Sequence, residues 1–263
     1  MKKYLVIGNP IKHSLSPELH NYWIKNNNID AIYEKQKLNE DQIGSLILKV
    51  KEKKIHGINV TVPFKKKVIP FLDKLSLEAQ STQSVNTIYL NNNKVIGHNT
   101  DIEGFELSIK NLKFNIKDKK ILILGAGGVV PSIIFALNKI KVSRITISNR
   151  TREKAENLKR LFKNLKVADW GDIPDFDMII NATSVGLNNN DEINLDLSEV
   201  GKNKFFYDLI YNPKETNFLK NGKKLGNLTE NGKLMFIYQA VAAFNLWHGI
   251  QLEINNETVK LLD

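Results

Sequence analysis

The chain has 263 residues, of which 42% are apolar, with no cysteine and a formal net charge of +10. This length exceeds the usual size of one domain, so we expect two domains with sizeable cores. The absence of cysteine excludes disulfides and thiolate metal sites and is compatible with a cytoplasmic protein. No apolar run approaches the roughly 20 residues that a membrane-spanning helix needs.

The positive charge allows two interpretations. Lysines are spread along the chain among many asparagines and isoleucines, a composition typical of a low-GC genome, so we expect no nucleic-acid partner. Part of the charge can instead attract anionic small molecules. The one dense cluster is Lys65-Lys66-Lys67, and solvated surface explains two of its three members.

The first hundred residues alternate between short apolar runs and helical spacing. They predict strands over residues 4–7, 31–34 and 58–62 and a helix over 41–53. Ser16 is expected to cap a further helix, with Pro17 in its first turn. Two strand-like segments flank Asn91-Asn92-Asn93, which predicts a hairpin.

From residue 120 onward, strands alternate regularly with helices. Strands are expected over 121–124, 144–148, 177–181 and 205–209, with helices after Gly128 and over 151–162 and a mostly helical tail after Asn231. Such alternation predicts a parallel sheet with both faces covered. The predicted fold class is therefore α/β with two domains, an N-terminal α/β domain and a Rossmann-like, doubly wound parallel-sheet domain.

A glycine-rich turn, Gly125-Ala126-Gly127-Gly128, follows an apolar strand and precedes a helix. Backbone amides at a helix N-terminus can approach a pyrophosphate only where side chains are absent, so the turn predicts a dinucleotide site. The usual third glycine is replaced by Val130, and Pro131 after it is compatible with a first helical turn. A glycine turn without a ligand is the alternative interpretation.

The end of the next strand indicates which cofactor binds. NAD sites place a carboxylate about 20 residues after the glycines, whereas here the strand ends in Asn149-Arg150-Thr151-Arg152. Two arginines can bind a 2′-phosphate, so we predict NADP rather than NAD. A helix start capped by Thr151 explains the same residues structurally, and both interpretations can hold.

Lys65 and Asp101 each end a short polar run upstream of the nucleotide signature. The runs cover residues 57–65 and 99–101, with Val85-Asn86-Thr87 between them. Such a charged pair suggests an enzyme that moves a proton and a hydride together. A lysine beside a carboxylate is a poor base but a good acid at neutral pH, so we predict that Lys65 donates a proton during carbonyl reduction. A surface salt bridge is the alternative.

The order of these motifs resembles the shikimate dehydrogenase family over nearly the whole chain. The matching segments are residues 7–17, 20–21, 59–65, 85–87, 99–101, 125–128, 149–151, 181–184, 208 with 211–213, and 231–232 with 235, 239 and 240. The resemblance implies reversible NADP-linked reduction of 3-dehydroshikimate to shikimate, on the route to chorismate and aromatic amino acids. It also implies a substrate domain of residues 1–101 and 236–263, split by an NADP-binding domain of residues 102–235. Oxidation of shikimate should be faster at alkaline pH.

The same resemblance assigns site residues. Lys65 and Asp101 are the implied catalytic pair at the reacting oxygen. The implied substrate ligands are Ser14, Ser16, Asn59, Thr61, Lys65, Asn86, Asp101, Tyr211 and Gln239, of which Ser14 and Ser16 are assigned to the carboxylate. The implied cofactor ligands are Gly125, Ala126, Gly127, Gly128, Val129, Asn149, Arg150, Thr151, Arg152, Thr183, Leu209 and Gly232, and Tyr211 is also placed at the cofactor pocket.

Other functions stay open at this point. The chain could be a broader quinate/shikimate dehydrogenase that uses NAD, or a binding protein that kept the fold and lost turnover. A nucleic-acid binder is the third alternative. We expect no metal site and no membrane partner, and the chain is expected to work as a monomer or homodimer.

Overall fold

The computed structural model describes residues 1–188 and 190–262 of the chain. The chain divides into two compact units. Unit 1 comprises Met1–Gly104 and the residues from Ile237 onward, and unit 2 comprises Phe105–Phe236. The sequence predicts that the first domain ends at residue 101 and resumes at 236, and the structure divides after Gly104 and before Ile237.

Strands and helices alternate through both units. In chain order the strands are β1 (Lys2–Gly8), β2 (Ala31–Lys37), β3 (Gly57–Val60), β4 (Lys74–Leu75), β5 (Thr87–Asn91), β6 (Lys94–His98), β7 (Lys120–Leu124), β8 (Arg144–Ser148), β9 (Lys166–Ala168), β10 (Met178–Asn181), β11 (Phe205–Asp208) and β12 (Leu228–Glu230). The helices are α1 (Ser16–Asn26), α2 (Ile43–Lys51), α3 (Leu77–Thr82), α4 (Asp101–Lys110), α5 (Val130–Ile140), α6 (Arg152–Leu161), α7 (Asn217–Lys224), α8 (Lys233–His248) and α9 (Asn256–Lys260). Short 3₁₀ turns cover Glu40–Gln42 and Ile69–Phe71.

Unit 1 is built on a six-stranded mixed sheet with the strand order β2-β1-β3-β5-β6-β4. Strands β2, β1 and β3 run parallel, so their carboxyl ends meet at one edge of the sheet. Strand β3 ends at Val60, two residues before the predicted end, because the chain turns at Thr61, whose carbonyl accepts a 2.9 Å hydrogen bond from Phe64 N. Thr61 N donates to Ile7 O at 2.9 Å, which fastens the ends of β1 and β3 together.

The predicted hairpin is confirmed between β5 and β6, which pair antiparallel. Its two loop residues, Asn92 and Asn93, have φ angles of 47° and 58°. Left-handed φ at both loop residues defines the type I′ turn, whose twist matches that of the paired strands, and asparagine tolerates this conformation. Asn86 precedes one arm and Asn99 follows the other, so the hairpin brings these two polar side chains to the same edge.

The prediction that Ser16 caps α1 is wrong. Helix α1 begins at Ser16, the preceding Leu15 occupies the capping position, and no side chain makes a capping hydrogen bond there. The Ser16 hydroxyl instead accepts a hydrogen bond from the Ser14 hydroxyl at 3.2 Å. Pro17 lies in the first turn as predicted.

Unit 2 is built on a six-stranded sheet in which every pair is parallel, as predicted. The strand order is β12-β11-β10-β7-β8-β9, so the order reverses between β7 and β10. In doubly wound sheets a ligand binds outside the carboxyl ends of the strands at this reversal. The reversal lies beside the glycine-rich turn that follows β7.

The sheet of unit 1 carries an aromatic layer on the face opposite α2, and a histidine is buried within it. The His20 ring of α1 stacks on Tyr33, with ring centroids 4.2 Å apart and an interplanar angle of 1°. Trp23, Phe244 and Trp247 surround the same ring. Neither ring nitrogen of His20 has a hydrogen-bond partner among the described residues. Burial, with a smaller effect of His248, lowers the pKa of His20 to about 3.

We predict that His20→Phe makes the fold more resistant to acid. The folded pKa of His20, about 3, lies below the unfolded value near 6.5. The unfolded state therefore binds more protons in that window, and stability is lost as the pH falls from about 6.5 toward 3. The loss for one such group is at most about 1.4 kcal/mol per pH unit.

Thermal unfolding followed by circular dichroism between pH 7.5 and pH 5 tests this prediction. Phenylalanine keeps an aromatic ring at this position and does not titrate. The melting temperature of His20→Phe should therefore rise relative to wild type as the pH falls. His13→Phe, at an exposed histidine, is the control. A difference between wild type and His20→Phe that is the same at every pH would contradict the prediction.

Candidate active site

In unit 1 the predicted pair Lys65 and Asp101 forms a buried ion pair. Lys65 Nζ donates to Asp101 Oδ2 at 2.6 Å, and the two side chains are only 11% and 8% exposed. Lys66 and Lys67 are exposed, and Lys67 pairs with Glu40. Of the lysine cluster, Lys65 alone contributes to the buried polar site, so the surface salt bridge considered from the sequence does not describe it.

Backbone hydrogen bonds determine where the two charged groups lie. Lys65 O accepts from Val85 N at 2.9 Å, which holds the lysine turn beside the start of the hairpin. Asp101 begins α4, and its amide donates to Asn99 Oδ1 at 3.1 Å. The two charges thus come from separate segments that meet at the ends of β5 and β6.

Asn86 fixes the second oxygen of the Asp101 carboxylate. Its Nδ2 donates to Asp101 Oδ1 and to Thr100 Oγ1, both at 2.9 Å, and lies 3.4 Å from Gln239 Oε1. Its Oδ1 accepts from Thr100 N at 2.7 Å. An amide with both ends bonded in this way has only one orientation, and the Asp101 carboxylate is held at both oxygens.

The side-chain amide of Asn59 uses all but one of its hydrogen-bonding positions within the protein. Its Oδ1 accepts from the Tyr33 hydroxyl at 2.6 Å. Its Nδ2 donates to Asn86 O and to Thr87 Oγ1, both at 3.1 Å. Because an amide nitrogen has two hydrogens and the oxygen accepts two bonds, Asn59 retains one acceptor position for a ligand. Tyr33 is not among the site residues predicted from the sequence.

Ser14 and Ser16 lie together at the start of α1. Their hydroxyl oxygens are 3.2 Å apart, and Ser16 N donates to Ser14 Oγ at 3.3 Å. Lys35 Nζ donates to the carbonyl of Ser14 at 3.2 Å and to that of Lys12 at 3.1 Å, which places a cation beside this loop. Hydroxyls, the free amides of a first helical turn and a nearby cation are suited to a carboxylate.

The site residues predicted for the substrate divide between the two units. Those in unit 1 are Ser14, Ser16, Asn59, Thr61, Lys65, Asn86, Asp101 and Gln239. Hydrogen bonds connect Lys65, Asp101, Asn86, Gln239 and Asn59 in one group. Tyr211 lies in unit 2, where its ring stacks on Phe236 with centroids 4.4 Å apart.

In unit 2 the glycine turn has the geometry of an anion site. Gly125 has a φ of 103°, and a Cβ there would lie 2.8 Å from Ala182 O, so no other residue fits. A Cβ on Gly127 would meet nothing nearer than Ala182 O at 3.8 Å, so packing within the chain does not require that glycine. Within the described residues, the backbone amides of Ala126, Gly127 and Val129 have no hydrogen-bond partner. Free amides at the start of α5, with space before them, fit a pyrophosphate.

Three further predicted cofactor residues, Thr183, Leu209 and Gly232, follow the ends of β10, β11 and β12. The Thr183 hydroxyl donates to Asn181 Oδ1 at 2.7 Å, and Leu209 N donates to Asn181 O at 3.0 Å. A Cβ on Gly232 would lie 2.2 Å from Leu209 O, so the backbones meet there only because residue 232 is glycine. These segments line the same edge of the sheet as the glycine turn.

The two arginines after β8 are not equivalent. The Arg152 guanidinium pairs with Asp169 and, at 3.2 Å, with Glu156. Arg150 is exposed and its side chain has no partner in the part of the chain that the structure describes. Thr151 occupies the capping position of α6, but its side chain makes no capping hydrogen bond. Arg150 is therefore the arginine available to an anionic ligand.

Asp208, at the end of β11, serves the fold of unit 2. Its carboxylate accepts hydrogen bonds from Asn181 Nδ2 and Ile210 N, both at 3.0 Å, and from Thr216 Oγ1 at 2.5 Å. Burial raises its pKa to about 6, although these hydrogen bonds act in the opposite direction. The carboxylate thereby joins β10 and β11 to Thr216, which caps α7.

Two features, a metal-binding cluster and a membrane-spanning helix, are not found in residues 1–188 and 190–262. No group of three or more His, Cys, Asp or Glu side chains is placed to hold a metal ion. No helix in this part of the chain is long and apolar enough to cross a bilayer.

Comparisons with known proteins agree on one family. Residues 6–88 match the family model described as the shikimate dehydrogenase substrate binding domain, and residues 106–215 match that of shikimate / quinate 5-dehydrogenase. The shikimate dehydrogenase (NADP(+)) of Pelagibacter ubique is 61% identical over 262 residues, covering 100% of this chain and 99% of that protein.

Solved structures extend the similarity to the fold. The shikimate dehydrogenase of Aquifex aeolicus superposes with a TM-score of 0.91 at 36% identity, covering 100% of this chain and 97% of that one. The Thermus thermophilus enzyme in complex with NADP(H) and shikimate gives a TM-score of 0.90 at 28% identity, with coverage of 100% and 98%. The chain therefore belongs to the shikimate dehydrogenase family.

Proposed function

We propose that this chain catalyses the reversible, NADP-dependent interconversion of 3-dehydroshikimate and shikimate, a step toward chorismate and the aromatic amino acids. The observation that carries the proposal is the buried Lys65–Asp101 ion pair, with its carboxylate held at both oxygens by Lys65 and Asn86. The names of the relatives supply the substrate and the cofactor.

The polar groups of unit 1 suit a small carboxylic acid with several hydroxyls. Ser14 and Ser16 at the start of α1 bind the carboxylate, and Thr61, Asn86 and Gln239 bind ring hydroxyls. Asn59 contributes its single remaining acceptor position. Buried polar groups discriminate strongly against a compound that leaves them unpaired, so such a site selects its substrate by hydrogen bonding.

Lys65 donates the proton in reduction and accepts it in oxidation. Reduction of a ketone needs an acid at the carbonyl oxygen, and Lys65 Nζ donates that proton while Asp101 stabilises and orients the ammonium group. In the oxidation direction the same nitrogen receives the proton of the alcohol. When bound, NADP(H) supplies or accepts the hydride.

The cofactor is held by unit 2. The free amides of Ala126, Gly127 and Val129 bind the pyrophosphate, and Arg150 binds the 2′-phosphate. Thr183, Leu209 and Gly232 line the same edge of the sheet. We also propose the cytoplasm as the location of the enzyme and a monomer or homodimer as its working form.

The absorbance of the reduced nicotinamide, measured with purified protein, tests the function directly. We expect reduction of NADP with shikimate and much slower reaction when either NAD or quinate is substituted. Equal rates with NAD and quinate would move the chain to the broader quinate/shikimate dehydrogenases. No reaction in any of the four combinations, from a folded protein, would overturn the proposal in favour of a binding protein.

The variant Lys65→Ala is expected to lower kcat by about 10²–10⁴-fold, the usual contribution of a general acid. The KM for shikimate should change much less than kcat if Lys65 acts mainly in the chemical step. Lys66→Ala is the matched control, because this neighbouring lysine is exposed. Near wild-type turnover with a collapsed affinity for shikimate would instead assign Lys65 a binding role.

Arg150→Ala and Arg152→Ala should differ in their effect on NADP. Losing a charge-assisted hydrogen bond costs about 1.5–3 kcal/mol, so Arg150→Ala should raise the KM for NADP by about ten- to a hundredfold and leave the KM for NAD nearly unchanged. Arg152→Ala should have a smaller effect, because Asp169 and Glu156 already bind that guanidinium. Steady-state kinetics with NADP and with NAD measures both KM values for each variant. A larger increase in the KM for NADP from Arg152→Ala than from Arg150→Ala would contradict the prediction.

A further inference from the structure

Asn181, the last residue of β10, is a buried amide whose hydrogen-bonding positions are all used within unit 2. Its Nδ2 donates to Asp208 Oδ1 at 3.0 Å and to Val185 O at 3.1 Å. Its Oδ1 accepts from Thr183 Oγ1 at 2.7 Å and from Thr183 N at 3.1 Å. An amide nitrogen carries two hydrogens and an amide oxygen accepts two bonds. Asn181 therefore acts on a ligand only through its neighbours.

Two neighbours determine which way the Asn181 amide points. Asp208 is buried, and burial raises its pKa to about 6, so the carboxylate is ionised at pH 7.5 and only accepts hydrogen bonds. The side of the amide that faces Asp208 must therefore be the NH2 group. The backbone N–H of Thr183 only donates, so it requires the amide oxygen on the opposite side. Both constraints give the same orientation.

This orientation of Asn181 leaves the Thr183 hydroxyl with a single role. The Thr183 hydrogen points to Asn181 Oδ1, and one lone pair of its oxygen accepts from Val185 N at 3.1 Å. A hydroxyl oxygen has a second lone pair, and no group in the described residues donates to it. Thr183 is half-buried, and a ligand that reaches its hydroxyl would meet an acceptor and no donor.

The position of Thr183 indicates which part of a dinucleotide would supply the matching donor. Strands β8 and β10 flank β7 on opposite sides. The pyrophosphate is assigned above to the turn after β7 and the 2′-phosphate to Arg150 after β8, so the adenosine half lies on the β8 side. A Cβ on Gly125 would lie 3.0 Å from Thr183 Cγ2, so Thr183 adjoins the turn on the β10 side. A dinucleotide bound across the strand reversal extends its nicotinamide half over β10.

We propose that Asn181 is a positioning residue for the cofactor, which holds the Thr183 hydroxyl as an acceptor for a donor on the nicotinamide half of NADP. The donors on that half are the hydroxyls of its ribose and the nitrogen of its carboxamide. The inference rests on the proposed function, since it takes NADP as the ligand of unit 2. Thr183 contacts the cofactor, and Asn181 acts through Thr183.

Asn181→Ala tests the proposal by isothermal titration calorimetry with NADP at pH 7.5. Without the amide oxygen, the Thr183 hydrogen can turn toward the ligand, and the Kd for NADP should rise about tenfold, as expected for the loss of one buried hydrogen bond. The kcat at saturating NADP should change by no more than about threefold, because the interaction holds the cofactor in the ground state and the transition state alike.

Asn227→Ala is the matched control for Asn181→Ala. Asn227 is also a buried amide of unit 2, and it bonds to Lys204 N at 2.9 Å and to Gly201 O at 3.0 Å. It directly precedes β12, at the end of the parallel sheet opposite to the glycine turn. Asn227→Ala should change the Kd for NADP by less than about twofold, although it removes as many buried hydrogen-bonding atoms.

Thr183→Val removes the hydroxyl and keeps the shape of the side chain. It should raise the Kd for NADP about tenfold, like Asn181→Ala. Thr146→Val is its control, because Thr146 is buried in β8 and its hydroxyl makes no hydrogen bond to the described residues. In the Thr183→Val background, adding Asn181→Ala should weaken binding by less than about threefold, since the two residues act as one unit. Fully additive losses would overturn the proposal.

Shortened ligands separate positioning from a general loss of stability. Adenosine 2′,5′-bisphosphate lacks the nicotinamide half, so Asn181→Ala and Thr183→Val should change its Kd by less than about twofold. A loss of affinity equal to that for NADP would overturn the proposal. 2′-Phosphoadenosine diphosphoribose keeps the ribose hydroxyls and lacks the nicotinamide. A tenfold loss with this ligand would assign the donor to the ribose, and no loss would assign it to the carboxamide; both results support the proposal.

A pair of variants at Asp208 makes the test independent of how well Asn181→Ala folds. Asn181 Nδ2 and Ile210 N both donate to Asp208 Oδ1, so the amide in Asp208→Asn should place its oxygen there. The Thr216 hydroxyl, which donates to Oδ2, can rotate to accept from the new NH2 group. Asp208→Asn should therefore recover most of the NADP affinity that Asp208→Ala loses. Equal losses in these two variants would overturn the role assigned to the acceptor.

The outcomes also distinguish the inference from the proposed function. Wild-type protein that neither binds NADP nor oxidises shikimate with it would overturn both. Wild-type protein that is active with NADP, together with an Asn181→Ala variant that binds NADP as tightly as Asn227→Ala, would overturn only the role of Asn181.

Discussion

A buried carboxylate must have partners at both of its oxygens, and this requirement at Asp101 organises unit 1. An unpaired charge in a protein interior is strongly destabilising, so the segments that supply the partners must be held in place. Lys65 comes from the turn after β3, and Asn86 is the residue before the first arm of the hairpin. Three features bring these groups together: the parallel edge of β1 and β3, the type I′ turn and the start of α4.

Unit 2 meets a different requirement, which is to leave polar backbone unpaired. Its sheet is fully parallel and its strand ends are fastened by Asn181 and the buried Asp208. At that rigid edge, the glycine turn leaves backbone amides without hydrogen-bond partners in the described residues. The backbone at Gly232 approaches Leu209 O closely at the same edge. Groups that would destabilise an ordinary turn are held in position by internal hydrogen bonds around it.

Local sequence patterns predicted the regular parts of the fold and the charged pair, and they failed where distant residues decide. Strand β8, the hairpin and the parallel sheet follow from periodicity and turn residues. The two-residue strand β4 exists only through its pairing with β6, so no pattern indicated it. The Asp169 carboxylate that pairs with the Arg152 guanidinium lies 17 residues further along the chain. Tyr33 looks like an ordinary apolar strand residue. Such pairings depend on the tertiary structure.

The fixed direction of the hydrogen bond from Tyr33 to Asn59 has a consequence for entropy. Hydroxyl groups of Ser, Thr and Tyr usually sample several rotamers, and ordering them upon binding lowers affinity. In unit 1 the Asn59 amide oxygen can only accept, so the Tyr33 proton that it binds has a single arrangement. That ordering takes place when the chain folds, so a ligand that binds at Asn59 would meet a phenol whose proton has little rotational freedom left to lose.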